Sequence, residues 1–269
     1  LVLQLLDRNE EALECFDRVI KLEPDYSEGW SHKGCMLDAI GSYAEALACL
    51  DHALELDPSD VDTLRYKGDT LTHMKCHEEA LSYYDRAILL KPEDMDAWDK
   101  KGELLYRIER YDEALPCFDY ILEAEPDRYG VWVKKAVALY EMERYPQALI
   151  CTQIALEFSD SNAGIFYLQG LTMDELGQYD GAVEAFDHAS GIDPEDDSYL
   201  SSKGRSLYHA GRYEEAVCAC SSALEINPDG IWGLEYKGKA LIKLNKAKEG
   251  ESYLKRVLEL QPGLDIGDD

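Results

Sequence analysis

Along this chain the apolar residues fall three and four apart rather than in alternation, in paired bursts separated by short polar breaks. After Met95, one stripe runs through Trp98, Gly102, Leu105 and Ile108, and a second through Ala114, Cys117, Phe118 and Ile121. That spacing places the apolar side chains on one face of a helix, so each pair of bursts predicts a helix hairpin. The pattern returns every 34 residues: Pro24, Pro58, Pro92, Pro126, then Asp160 in the proline slot, then Pro194, Pro228 and Pro262. A fixed interval of this length is the signature of a repeat array. With the proline set at place 32, full units begin at Ser27, Val61, Met95, Tyr129, Ala163, Asp197 and Ile231. A partial copy occupies residues 1–26, and an acidic tail residues 265–269.

Local chemistry supports two helices per unit. Gly41, Gly177 and Gly211 stand at place 15, where a helix ending in left-handed backbone favours glycine. Lys75, Glu109, Glu143 and Asn245 take that place elsewhere. Carboxylates follow in segments such as Tyr111-Asp112-Glu113-Ala114, suited to the positive end of a helix dipole. The proline closes the unit because the residue before it is driven out of helical geometry. Two places are small. Place 8 holds Gly34, Gly68, Gly102, Ala136, Gly170, Gly204 and Gly238, and place 20 holds alanine in every full unit except the last, where Gly250 stands. Glycine inside a helix costs about 1 kcal/mol against alanine, so its recurrence predicts a tight crossing, with place 8 expected to meet place 20. Bulky residues surround it at place 4 (Trp30, Trp98, Trp132, Phe166) and place 24 (Tyr84, Phe118, Phe186). Pro116 falls beyond the first turn of its helix, where it is expected to remove a backbone bond and bend the helix.

These places resemble the tetratricopeptide repeat family over nearly the whole chain. The resemblance implies an all-α, right-handed α-solenoid of stacked antiparallel helix pairs, seven units long. It also implies a concave groove lined by the first helix of each pair, used to bind a peptide or protein segment. The unbroken register predicts one continuous solenoid.

Composition narrows the options. Asp plus Glu number 55 against 27 Lys plus Arg, a formal charge of −28. A phosphate-binding surface needs clustered cations, so nucleic acid is not an expected partner. Nothing reads as a membrane span or a signal peptide. The eight cysteines lack paired spacing and four share place 23, which reads as packing in a reducing, cytoplasmic compartment. The missing initial Met suggests a fragment. Apolar ends at residues 1–6 and around 254–260, with no polar cap, make self-association through the solenoid ends an alternative role.

Enzyme-like signals are weak. His73, Cys76 and His77 cluster at one turn without a fourth metal ligand, and no phosphate loop or nucleophile elbow is present. No cofactor is expected and the chain reads as non-enzymatic. The informative stripe is places 2, 5, 9 and 12 of the first helices, which the resemblance turns toward the ligand. Candidate peptide-binding residues there are Asp62, Arg65 and Asp69, then Asp96, Asp99, Glu103 and Tyr106, then Val133, Val137 and Tyr140. Tyr167 and Leu171, Arg205 and Tyr208, and Lys239 complete the set. The stripe is acidic early, apolar and aromatic in the middle, and mixed to basic late. It predicts a partner with apolar anchors and basic residues. The chaperone-tail subtype of the family, with lysine at place 5 and asparagine at place 9, is matched by no unit.

Overall fold

The computed structural model describes residues 9–264, with side chains from residue 11. It holds fifteen α-helices and no strand among the described residues. They are α1 (Asn9–Leu22), α2 (Ser27–Ala39), α3 (Tyr43–Leu56), α4 (Val61–His73), α5 (His77–Leu90), α6 (Met95–Arg107) and α7 (Tyr111–Ala124). There follow α8 (Tyr129–Glu141), α9 (Tyr145–Phe158), α10 (Ala163–Glu175), α11 (Tyr179–Ile192), α12 (Asp197–His209), α13 (Tyr213–Ile226), α14 (Ile231–Lys243) and α15 (Ala247–Leu260). From α2 onward every first helix starts at place 1 and every second helix at place 17, so the sequence period is also the structural period. Consecutive helices pack as pairs into an α-solenoid. The chain divides into two compact units, residues 1–124 (α1–α7) and 125–269 (α8–α15).

The turn inside each pair is the same seven times. The residue at place 15 has positive φ whether it is glycine (Gly41, Gly177, Gly211) or not: Lys75 63°, Glu109 62°, Glu143 58°, Asn245 63°. The next amide donates back to the carbonyl at place 11, as Cys76 N does to Leu71 O at 2.9 Å and Arg144 N to Leu139 O at 2.8 Å. The place 15 amide donates to place 12, as Lys75 N does to Thr72 O at 3.0 Å. Two such bonds satisfy the last carbonyls of the first helix, a Schellman ending.

The tight crossing is real: place 8 meets the place 20 backbone as expected, and a side chain of the same second helix comes nearer still. A Cβ built on Gly170 would lie 2.6 Å from Cε1 of Phe186, and one on Gly34 2.6 Å from Cγ of Leu50. Place 8 therefore meets the side chain at place 24. The place 20 backbone is second, at 3.1 Å from Gly34 to Ala46 O. The fourth unit shows the complementary solution, Ala136 at place 8 with Thr152 at place 24, both fully buried.

Three further ties recur. The tryptophan at place 4 donates its indole N–H to the proline carbonyl six residues upstream: Trp30 to Pro24 (2.8 Å), Trp98 to Pro92 (2.8 Å), Trp132 to Pro126 (2.9 Å). A lysine at place 7 pairs with an aspartate sixteen residues earlier on the preceding second helix, as in Lys33–Asp17 (2.7 Å), Lys101–Asp85 (2.6 Å) and Lys203–Asp187 (2.5 Å). An arginine at place 16 bridges neighbouring second helices. Arg110 reaches Glu113 and Glu78, and Arg212 reaches Glu215 and Asp180. The guanidinium of Arg110 holds the Glu113 carboxyl below its ordinary range. Part of the acidity thus belongs to a periodic ladder of ion pairs. Pro116 lies inside α7, which continues through it to Ala124.

Candidate functional site

Within each unit the first helices also approach one another, α2 with α4 and α4 with α6, then α8 with α10, α10 with α12 and α12 with α14. Among the described residues no two second helices approach to the same extent. The stack is therefore tighter on the first-helix side of each unit, and the stripe at places 2, 5, 9 and 12 lies on that side.

In the first unit this stripe is organised by charge. Arg65, largely buried, bonds both oxygens of Asp94 (3.2 and 3.1 Å) and Asp62 (2.9 Å), with Asp96 at 3.5 Å. Asp94 is itself buried and caps α6 by accepting from Asp96 N. Asp69 accepts from the hydroxyl of Tyr84 at 2.7 Å and pairs with Lys100 at 3.3 Å. Burial, with Asp69 beside it, drives the Tyr84 phenol far above its usual range. Asp99 and Glu103 are half-buried, as is Tyr106, whose ring lies 5.9 Å from Tyr111 and 6.3 Å from Phe118. The aspartates at 62, 69 and 96 are thus engaged with the protein's own cations.

The second unit differs. Val133, Val137, Tyr140, Tyr167 and Leu171 are each half-buried along α8 and α10. Tyr167 packs edge-on to Tyr199 at 5.2 Å and lies 5.8 Å from Phe186. Tyr140 meets Tyr145 at 5.4 Å, and burial with Glu175 nearby pushes its phenol up to about 12. Arg205 lies 2.9 Å from the buried Asp174, which also accepts from Ser206 at 2.5 Å. Arg205 Nη2 thus sits against a buried carboxylate and forms a largely buried ion pair. Tyr208 is buried, and Lys239 is buried against Glu235 at 3.1 Å. The late cations expected to make the stripe basic are therefore neutralised inside the protein.

At the turn between α4 and α5, His73 pairs with Asp38 at 3.0 Å, and no group of three metal-ligating side chains occurs among the described residues. The apolar segment at residues 1–6 and the acidic tail lie outside the described residues. At the other end, Val257 is buried, Leu254 would touch a Cβ on Gly238, and Leu258 is exposed. No helix among the described residues is long and apolar enough to cross a membrane.

Family models described as tetratricopeptide repeat match residues 6–61, 33–97 and 71–131. The model of anaphase-promoting complex, cyclosome, subunit 3 matches residues 175–257. The chain belongs to the tetratricopeptide repeat family. No curated protein matches it by sequence. Among solved structures it is similar to YrrB, described as a TPR protein with an unusual peptide-binding site. The identity is 23% and the TM-score 0.65, over 71% of this chain and 98% of YrrB. It is also similar to MamA: one structure gives 21% identity and TM-score 0.58 over 62% of this chain and 92% of MamA. A second gives 17% and 0.59 over 64% and 97%. At these identities the likeness is one of fold.

Proposed function

We propose that the chain is a non-enzymatic protein-interaction scaffold whose second unit holds a peptide against the first-helix face of α8, α10 and α12. The observation that carries this reading is the half-buried apolar strip of Val133, Val137, Tyr140, Tyr167 and Leu171 along α8 and α10. Such a strip gives a bound segment somewhere to desolvate apolar or aromatic anchors. YrrB, with the same fold, is described as having a peptide-binding site, which fits this role.

The reading is tested with a peptide selected from a random display library and its affinity measured by calorimetry. Tyr140→Ala and Leu171→Ala are each expected to weaken binding by more than about 1 kcal/mol. Ile150→Ala, at an exposed position on α9, is expected to leave it unchanged. Loss of binding in the α9 variant with retention in both others would overturn the assignment.

A further inference from the structure

Neighbouring units meet through a slot bounded by place 5 of one first helix, the residue at place 34, and place 3 of the next first helix. At three other junctions the protein fills this slot with its own side chains. Between α2 and α4, Ser31 Oγ lies 2.7 Å from Thr63 Oγ1, which also bonds Asp60. Between α4 and α6 the slot holds the guanidinium of Arg65, ringed by Asp62, Asp94 and Asp96. Between α10 and α12 it holds Tyr167 against Tyr199.

Between α12 and α14 the three places hold only Ser201, Gly230 and Gly233. What remains is a cavity of about 410 Å³, large enough for a small-molecule-sized group. Its lining includes Asp197, Asp229, Glu235, Trp232 and Ser201. Ser201 is 3% exposed and its hydroxyl has no partner, because Gly233 stands where Thr63 does in the first unit. Asp229 is paired with Arg256 at 2.9 Å and Glu235 with Lys239. Asp197 accepts only from the amide of Asn227, at 3.3 Å, and has no cationic partner among the described residues. Trp232 is 57% exposed and stacks on Tyr236 with ring centroids 6.2 Å apart.

We propose that this cavity receives an arginine side chain of a bound partner, seated as Arg65 is seated between α4 and α6. The guanidinium donates to Asp197 and to Ser201 Oγ, with Trp232 offering an aromatic face to the cation. The uncapped start of α14 opposes a cation with about half a charge, which the carboxylate of Asp197, free of a cationic partner among the described residues, outweighs. The inference extends the peptide reading by naming a residue the partner carries, but the site is testable without any peptide.

The whole chain is titrated with N-acetylarginine amide, following the backbone signals of Gly230 and Gly233 by nuclear magnetic resonance. A saturable shift is expected. The neutral isostere N-acetylcitrulline amide should bind about tenfold more weakly, the loss of a charge-assisted contact. Trp232→Ala, at an exposed ring, should also weaken binding. Ser201→Arg should abolish it by filling the slot from within, and Gly233→Thr should do the same by restoring the pair seen at Ser31. Equal binding of the citrulline compound, the same shifts from N-acetylglutamate amide, or undiminished binding in Gly233→Thr would overturn the proposal. Tyr140→Ala should leave this titration unchanged. Failure at the α8–α10 strip and failure at this cavity are therefore read separately.

Discussion

Gly170→Ala adds one methyl group to α10 at its closest approach to α11. The new Cβ would lie 2.6, 2.8 and 2.9 Å from three ring carbons of Phe186, a ring with no exposed surface and hence no room to retreat. Overpacking of this kind costs about 1–3 kcal/mol, and the better helix propensity of alanine returns about 1 kcal/mol. The net expectation is a loss of about 1 kcal/mol. The fourth unit supplies the matching control, since Ala136 is accommodated there opposite Thr152. In a Phe186→Thr background, already weakened by about 3 kcal/mol or more, the clash is gone and Gly170→Ala should stabilise by about 1 kcal/mol. The two single changes and the double change thus give a coupling of about 2 kcal/mol, well above the additivity error for independent sites. Urea unfolding followed by circular dichroism reads it, with the slope checked for each variant because a repeat array can unfold in parts. The same effect of Gly170→Ala in both backgrounds would refute the assignment of place 8 to the place 24 ring.

Glu109→Gly should stabilise by about 0.5–1 kcal/mol by relieving a left-handed non-glycine residue, and Gly211→Ala should destabilise by about 1–2 kcal/mol; both are read from urea midpoints. Trp98→Phe should cost about 1 kcal/mol through the lost bond to Pro92 O, read the same way. Asp94→Ala removes the cap of α6 and the main partner of Arg65 together and should cost about 3 kcal/mol or more by chemical denaturation. The raised phenols of Tyr84 and Tyr140 stay protonated in the fold at a pH where the unfolded chain ionises near 10, so their contribution is complete below about 10 and is lost as pH rises toward 12. Ultraviolet titration should show their phenolate signal appearing only with unfolding.

Much of the fold was legible because a repeat states its constraints several times over. The helix starts at places 1 and 17 follow from the period, and place 15 announced its left-handed backbone through three glycines although four other residues share it. Two recurrently small places suggest that they touch, and they do, as at Gly34 with Ala46 O and at Gly250 with Gly238 O, but only three-dimensional packing shows that side chains at place 24, such as Phe186, lie nearer still. The candidate site was legible as a face and not as an electrostatic surface. Spacing places Arg65, Asp62 and Asp96 on one stripe, but not the bonds from Arg65 to Asp94, 29 residues away. The late stripe read as basic from Arg205 and Lys239, yet Asp174 and Glu235 neutralise them, and the residues that open the cavity there, Gly230 and Gly233, lie off the stripe. The absence of a hydroxyl opposite Ser201 becomes a signal only by comparison with Thr63 in the corresponding place.

The central claim is that a partner segment lies on the first-helix face of the second unit, and hydroxyl-radical footprinting with a library-selected peptide tests it most directly. On saturation, Tyr140, Tyr167 and Leu171 are predicted to lose reactivity while Ile150 on α9 and Ile226 on α13 keep theirs. Protection of Ile150 and Ile226, with Tyr140, Tyr167 and Leu171 reacting as in the free chain, would contradict it.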